Sequence, residues 1–202
     1  MQAPRRRRRP EDARLEIEEA ARELLAEQPF HQVTVSAIMG RTTLSRKSFY
    51  VYFRDRYQLL TALVGPLRAE LDEANALWLT GDADPAGRGR AALHAVAQIL
   101  SDRGTLVRAL ADAARYDEHA ARLWREFNEP VIERVAAAIR AEAPDLGDPE
   151  RVARALVGMN LYCLFEQVVG NPRADVDGVV DALLTVWMRT VYPARWLLPP
   201  WQ

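Results

Sequence analysis

Apolar positions along the chain recur at intervals of three and four, and nowhere alternate at period two for more than a few residues. That pattern predicts helices throughout and an all-α fold class. Glycine and proline collect at Gln28-Pro29, residues 81–89, Arg103-Gly104, residues 144–149, residues 170–172 and from Pro193 onward, and divide the pattern into about nine helices. Their predicted ranges are 11–27, 35–41, 45–52, 56–79, 88–102, 105–116, 118–143, 149–169 and 176–192. Several starts carry a capping residue: Thr34, Ser45 and Asp55 each precede a helix with a side-chain oxygen for an orphan amide. Asp148-Pro149-Glu150 adds a cap, a proline in the first turn and an acid near the positive helix end.

The first predicted helix sets Leu15, Ala20, Leu24 and Leu25 against Glu16, Glu19, Glu23 and Glu27, so it needs an apolar partner. Residues 34–53 supply one: a short helix, a tight connection at Thr42-Thr43-Leu44 and a second short helix have helix-turn-helix spacing. Phe49 and Phe53, four apart, pack inward, whereas Arg46, Lys47 and Tyr50 fall on an adjoining exposed face. Two cations and a phenol there suit base acceptors and phosphates in a major groove.

Farther along, Leu60, Leu63, Val64, Leu67, Leu71, Ala74 and Trp78 form one apolar stripe on a long helix that joins the two halves. Pro66 lies inside it and predicts a kink near residues 62–66; Pro130 does the same in the seventh helix. Amides embedded among large apolar groups, Asn128 near Trp124 and Phe127 and Asn160 near Met159 and Phe165, need hydrogen-bond partners, either within the core or on a ligand. The eighth and ninth helices are apolar on more than one face, with Val152, Leu156, Met159 and Cys163 on one helix and Val179, Leu183, Val186 and Trp187 on the other. Two apolar faces require two partners, such as a pocket and a second copy of the chain.

Composition adds one decisive contrast. The 202 residues carry a formal charge of −1, but residues 1–60 hold 12 Lys+Arg against 8 Asp+Glu, and residues 61–202 hold 15 against 20. A +4 end and a −5 body face different partners, because phosphate attraction depends on where the cations sit. Lys47, the sole lysine, lies on the predicted recognition helix, and residues 5–9 are five consecutive arginines. Such a run is a flexible arm suited to salt-sensitive phosphate or minor-groove contacts. A single cysteine, Cys163, excludes a disulfide framework and a Cys-rich zinc cluster. With no apolar run approaching about 20 residues and no secretory signal, a cytoplasmic protein without membrane contact is expected.

Thr34-Val35-Ser36-Ala37-Ile38, followed by Leu44-Ser45-Arg46-Lys47-Ser48-Phe49-Tyr50-Val51-Tyr52-Phe53-Arg54-Asp55-Arg56 and Leu59-Leu60, resembles the amino-terminal signature of TetR-family transcriptional regulators. The resemblance implies a homodimeric regulator of double-stranded DNA, with Ser36, Arg46, Lys47, Tyr50, Tyr52 and Arg56 at DNA-contact positions. It departs in the turn, where the family's Ala-Gly is Thr42-Thr43. Glycine accommodates a positive φ that a β-branched residue tolerates poorly, so the turn is either strained or differently shaped.

The carboxy-terminal half is similar to the ethionamide-resistance repressor type within that family. The matching residues are Val107-Arg108-Ala109, Ala113-Ala114-Arg115, Leu123-Trp124-Arg125-Glu126-Phe127, Met159-Asn160, Leu164-Phe165, Trp187 and Tyr192. This implies an internal channel for a small lipophilic effector, lined by Trp124, Phe127, Asn128, Met159, Asn160, Phe165 and Trp187, and dimerisation through the eighth and ninth helices. It also implies repression at an inverted-repeat operator.

The expected organisation is a basic arm (1–10), a helix-turn-helix domain (11–54), an effector and dimerisation domain (55–192) and a Pro/Trp tail (193–202). No cofactor, metal site or enzymatic activity is expected: His31, His94 and His119 lack the Glu-x-x-His pairing of a di-metal bundle, and no phosphate loop is present. The rival reading, prompted by Thr42-Thr43, is a ligand-binding or protein-interaction helical dimer without sequence-specific DNA binding.

Overall fold

The computed structural model describes residues 9–79 and 84–192. Most of the arginine arm, residues 80–83 and the tail with Trp196 and Trp201 lie outside the described residues. Those described form eight α-helices and one short 3-10 turn: α1 (Pro10–Glu27), the turn Phe30–Gln32, α2 (Val35–Gly40), α3 (Arg46–Tyr52), α4 (Arg56–Ala76), α5 (Pro85–Ala113), α6 (Glu118–Glu142), α7 (Pro149–Gln167) and α8 (Val176–Val191). No described helix is long and apolar enough to cross a membrane.

Aspartates start most of the longer helices. Asp55, Asp84, Asp117, Asp148 and Asp175 each accept amide hydrogen bonds from the first turn they precede. Thr34 caps α2 by accepting from the Ala37 amide at 3.1 Å. Ser45 does not cap α3; its hydroxyl bonds that of Ser48 at 3.0 Å instead.

The predicted fifth and sixth helices are one continuous helix, α5. Gly104, read from sequence as a break, is a point of close approach. A Cβ built there would lie 2.7 Å from Val169 Cγ2, so only glycine lets the end of α7 pack against α5. On α1 the sequence pattern also needs adjustment: Leu15 is 59% exposed, and Ile17, fully buried, takes the core position.

Two apolar cores result. The amino-terminal core gathers Ile17, Leu24, Phe30, Ile38, Phe49 and Phe53, and the larger one is formed by α4 to α8. The stripe of α4 serves both: Leu60, Leu63 and Val64 belong to the first core, and Leu67, Leu71, Ala74 and the following Trp78 to the second. Pro66 lies at the changeover, within a helix that runs on through it.

The packing at Gly104 gives a signed expectation. A Gly→Ala change in a helix interior ordinarily stabilises by about 0.5–1 kcal/mol. Because the methyl would meet the stiff β-branched Val169, Gly104→Ala is expected to destabilise by about 1–3 kcal/mol in urea unfolding. Combination with Val169→Ala is expected to cost less than the two single changes together; additive costs would show that the two positions do not meet.

Candidate DNA interface and internal cavity

In the helix-turn-helix, burial separates the roles of neighbouring residues. Phe49 and Phe53 are 0% and 2% exposed and hold α3 to the core, their rings 5.7 Å apart. Ser36, Arg46, Lys47 and Tyr50 all face outward, and Tyr52 is half-buried. Neither Arg46 nor Lys47 forms an ion pair among the described residues.

The turn before α3 has a local device that replaces glycine. No described non-glycine residue has a positive φ, so Thr42-Thr43 adopts ordinary backbone and the second of the two expected outcomes holds. Hydroxyls organise it: Thr42 Oγ1 donates to the Met39 carbonyl at 3.0 Å and accepts from the Leu44 amide at 3.2 Å. From α1, Glu16 Oε1 accepts both the backbone N–H of Thr43 (2.5 Å) and its hydroxyl (2.8 Å).

Arg56 points inward. Its guanidinium donates to the carbonyls of Phe30 and Val33 at 3.0 and 3.2 Å and lies 4.6 Å over the Phe30 ring. It therefore pins the turn Phe30–Gln32 to the start of α4. Beside it, the Tyr57 hydroxyl donates to Asp117 Oδ2 at 2.5 Å, and the Tyr57 ring stacks on His119 at 4.2 Å. The Tyr57 hydrogen bond, with the Ala120 amide, holds the Asp117 carboxyl below its ordinary range. This one carboxylate joins the base of the DNA-reading core to the start of α6.

Within the larger core runs a cavity of about 90 Å³, walled by α4, α5, α6, α7 and α8. Trp78 and Trp187 meet edge to face at one side of it, ring centroids 4.8 Å apart. The Trp187 indole N–H donates to Asn160 Oδ1 at 2.9 Å. Since an indole nitrogen only donates, this bond fixes the amide's orientation and leaves the Asn160 NH2 as a donor. Asn128 and Asn75 use their NH2 groups on the Trp124 and Leu71 carbonyls at 2.8 and 2.7 Å, which leaves their oxygens as acceptors. An apolar tube with a few oriented amides can bind and orient an elongated lipophilic molecule.

The family model for the carboxy-terminal domain of the transcriptional regulator EthR matches residues 89–193, and that for bacterial regulatory proteins of the tetR family matches residues 17–63. The chain belongs to the TetR family. Similar curated relatives include the HTH-type transcriptional regulator EthR of Mycobacterium tuberculosis (strain ATCC 25618 / H37Rv), 27% identical over 190 residues, which span 90% of this chain and 88% of that one. The regulator of the same name from Mycolicibacterium smegmatis is 25% identical over 90% of this chain and 87% of its own. Among solved structures, a TetR-family transcriptional regulator from Syntrophomonas wolfei has a TM-score of 0.74 at 14% identity, covering 95% of this chain and all (100%) of that one. A TetR-like regulator from Rhodococcus sp. RHA1 has a TM-score of 0.70 at 21% identity, over 88% and 94%. The protein is a transcriptional regulator with a TetR-type helix-turn-helix and an EthR-type carboxy-terminal domain.

Of the residues expected to line the TetR-type pocket, Phe127, Asn128, Asn160 and Trp187 are on the cavity wall. Trp124, Met159 and Phe165 are not. Trp124 stacks on Phe127 and packs between the two cores, and Met159 and Phe165 are half-buried on the neighbouring face of α7. Cys163 is half-buried as well. Sequence reasoning missed Asn75, Trp78 and the α5 wall at Leu93 and Val96. Asn75 carried a readable signal, a lone amide one turn from Trp78 beside the apolar stripe.

Removing the Glu16 clamp tests the turn. Glu16→Ala forfeits two hydrogen bonds at a partly solvated site and is expected to destabilise by about 1 kcal/mol in urea unfolding. Adding Thr43→Gly to that variant is expected to cost less than Thr43→Gly costs in the parent. An unchanged unfolding midpoint in Glu16→Ala would show that the clamp does not hold the turn.

Proposed function

We propose that this regulator is a repressor that binds an inverted-repeat operator as a homodimer and is released by a small lipophilic effector. The observation that carries this reading is the division of α3, whose aromatics are spent on the core while Arg46, Lys47 and Tyr50, with Ser36 of α2, stay exposed as one DNA-facing group. In this reading Tyr52 borders that group, and Arg56 positions it through the turn at Phe30. The basic arm adds phosphate contacts.

Dimerisation is assigned to α7 and α8, each of which carries an outward strip of small or apolar residues beside its exposed charges: Ala155, Gly158 and Tyr162 on one, Gly178, Ala182 and Val186 on the other. Tyr162 and Val186 are 67% and 41% exposed in the single chain, as expected for side chains covered by a second copy. Two copies would place two recognition helices about 34–36 Å apart, on successive major grooves. Effector binding would act through α4, the helix common to the cavity and the DNA-reading core, and would require tighter binding to the DNA-incompetent state.

Selection from genomic fragments by the purified dimer is expected to recover a palindrome, with affinity falling steeply as salt rises. Arg46→Ala is expected to cost about 1–3 kcal/mol of operator binding and to relax sequence preference, and Tyr50→Phe to weaken binding without altering it. Recovery of no palindrome at low salt, with both variants silent, would favour the helical dimer that does not read DNA.

A tight cavity ligand at a hundredfold its Kd is expected to raise stability by about 2.7 kcal/mol. The same ligand is expected to lower operator affinity. A ligand that stabilises the protein yet leaves operator affinity unchanged would refute release by effector.

A further inference from the structure

Among the described residues of its wall, the charged side chains of the cavity stand together at one end. Along α4 and the turn after it the wall is formed in order by Arg68, Leu71, Asp72, Asn75 and Trp78, so from Arg68 to Asn75 the cavity follows the helix for about 10 Å at a rise of 1.5 Å per residue. At the far end Trp78 and Trp187 meet among aliphatic side chains, and the Arg88 guanidinium, which is not on the wall, donates to the Trp78 carbonyl at 3.1 Å. At the near end Asp72 stands between two guanidinium groups, 2.5 Å from Arg134 of α6 and 3.8 Å from Arg68. Among the described residues these three are the charged ones of the wall, and they sum to one positive charge.

Asp72 is committed to Arg134 at hydrogen-bond distance, whereas its gap to Arg68 is too long for one. Arg68 thus has donors to spare at the charged end of a largely apolar cavity, and its side chain is 37% exposed. A planar guanidinium with free N–H groups is matched by a carboxylate. A cationic head would instead face two guanidinium groups, and a neutral head would leave the excess charge unmatched.

We propose that the effector is an amphipathic monoanion of the fatty-acid type, its carboxylate on Arg68 beside Arg134 and its hydrocarbon tail running toward Trp78 and Trp187. The inference rests on the reading of the cavity as an effector pocket, and specifies its ligand. It also places the ligand's charge two residues beyond Pro66, where α4 passes from one core to the other.

The test titrates the full-length dimer with dodecanoate, dodecanol and dodecyltrimethylammonium below their micelle concentrations, followed by calorimetry and tryptophan fluorescence. Dodecanoate is expected to bind about tenfold more tightly than dodecanol, as one charge-assisted hydrogen bond supplies, and the ammonium compound most weakly. Arg68→Gln, which leaves the Arg134–Asp72 pair in place, is expected to weaken dodecanoate to the level of dodecanol and to leave dodecanol unchanged. Arg68→Lys, which keeps the charge, is expected to retain most of the preference. Equal binding of acid and alcohol, or an Arg68→Gln variant that weakens both alike, would overturn the carboxylate assignment and leave the pocket reading intact. Failure of all three compounds to bind would overturn the pocket reading and this inference with it.

Discussion

One helix belongs to two cores, and the rest of the structure follows from that sharing. The apolar stripe of α4 has no break between Leu60 and Ala74, yet its first half belongs to the same core as Phe49 and Phe53 and its second half to the core of the body. Burial of such a stripe is worth about 1.5–3 kcal/mol per large side chain, so neither core can rearrange without moving the same rod. The recognition helix is thereby tied to a cavity wall through packing alone.

Polar contacts then fix the angle at which the rod meets the DNA-reading core. Arg56 holds three backbone carbonyls of residues 30–33, and the next residue, Tyr57, reaches Asp117 at the start of α6. The two side chains lie against each other, the Arg56 guanidinium 5.2 Å over the Tyr57 ring, so one cluster braces the foot of α4 against the turn at Phe30 and against α6. An arginine that sequence resemblance places against phosphate is here a structural brace. Its neighbours on α3 are left to meet solvent.

Legibility in the sequence depended on whether a feature was local. The α4 stripe, the caps at Thr34, Asp55 and Asp148 and the inward Phe49 and Phe53 could be read because period and capping chemistry act within a turn or two. Gly104 could not: whether a glycine breaks a helix or admits a neighbour depends on Val169, far along the chain. The same applies to the Thr42-Thr43 turn, whose glycine-free geometry rests on Glu16 of α1. On the cavity wall, Phe127, Asn128, Asn160 and Trp187 were named through the family resemblance, the residues themselves leaving core and ligand contact open. Asp72 and Arg134 were not, because nothing in a charged residue's immediate context says that it faces a partner on another helix.

The two proline-bearing helices, α4 and α6, are both walls of the cavity. Pro66 and Pro130 each delete one rung from a hydrogen-bond ladder, leaving the carbonyls of Ala62 and Glu126 without their usual amide donors. Facing them is α5, uninterrupted over 29 residues and closely joined to its neighbours at Gly104. The cavity thus has one wall with an unbroken ladder and two with a missing rung. One of those two interrupted walls, α4, is the rod that follows directly on the recognition helix.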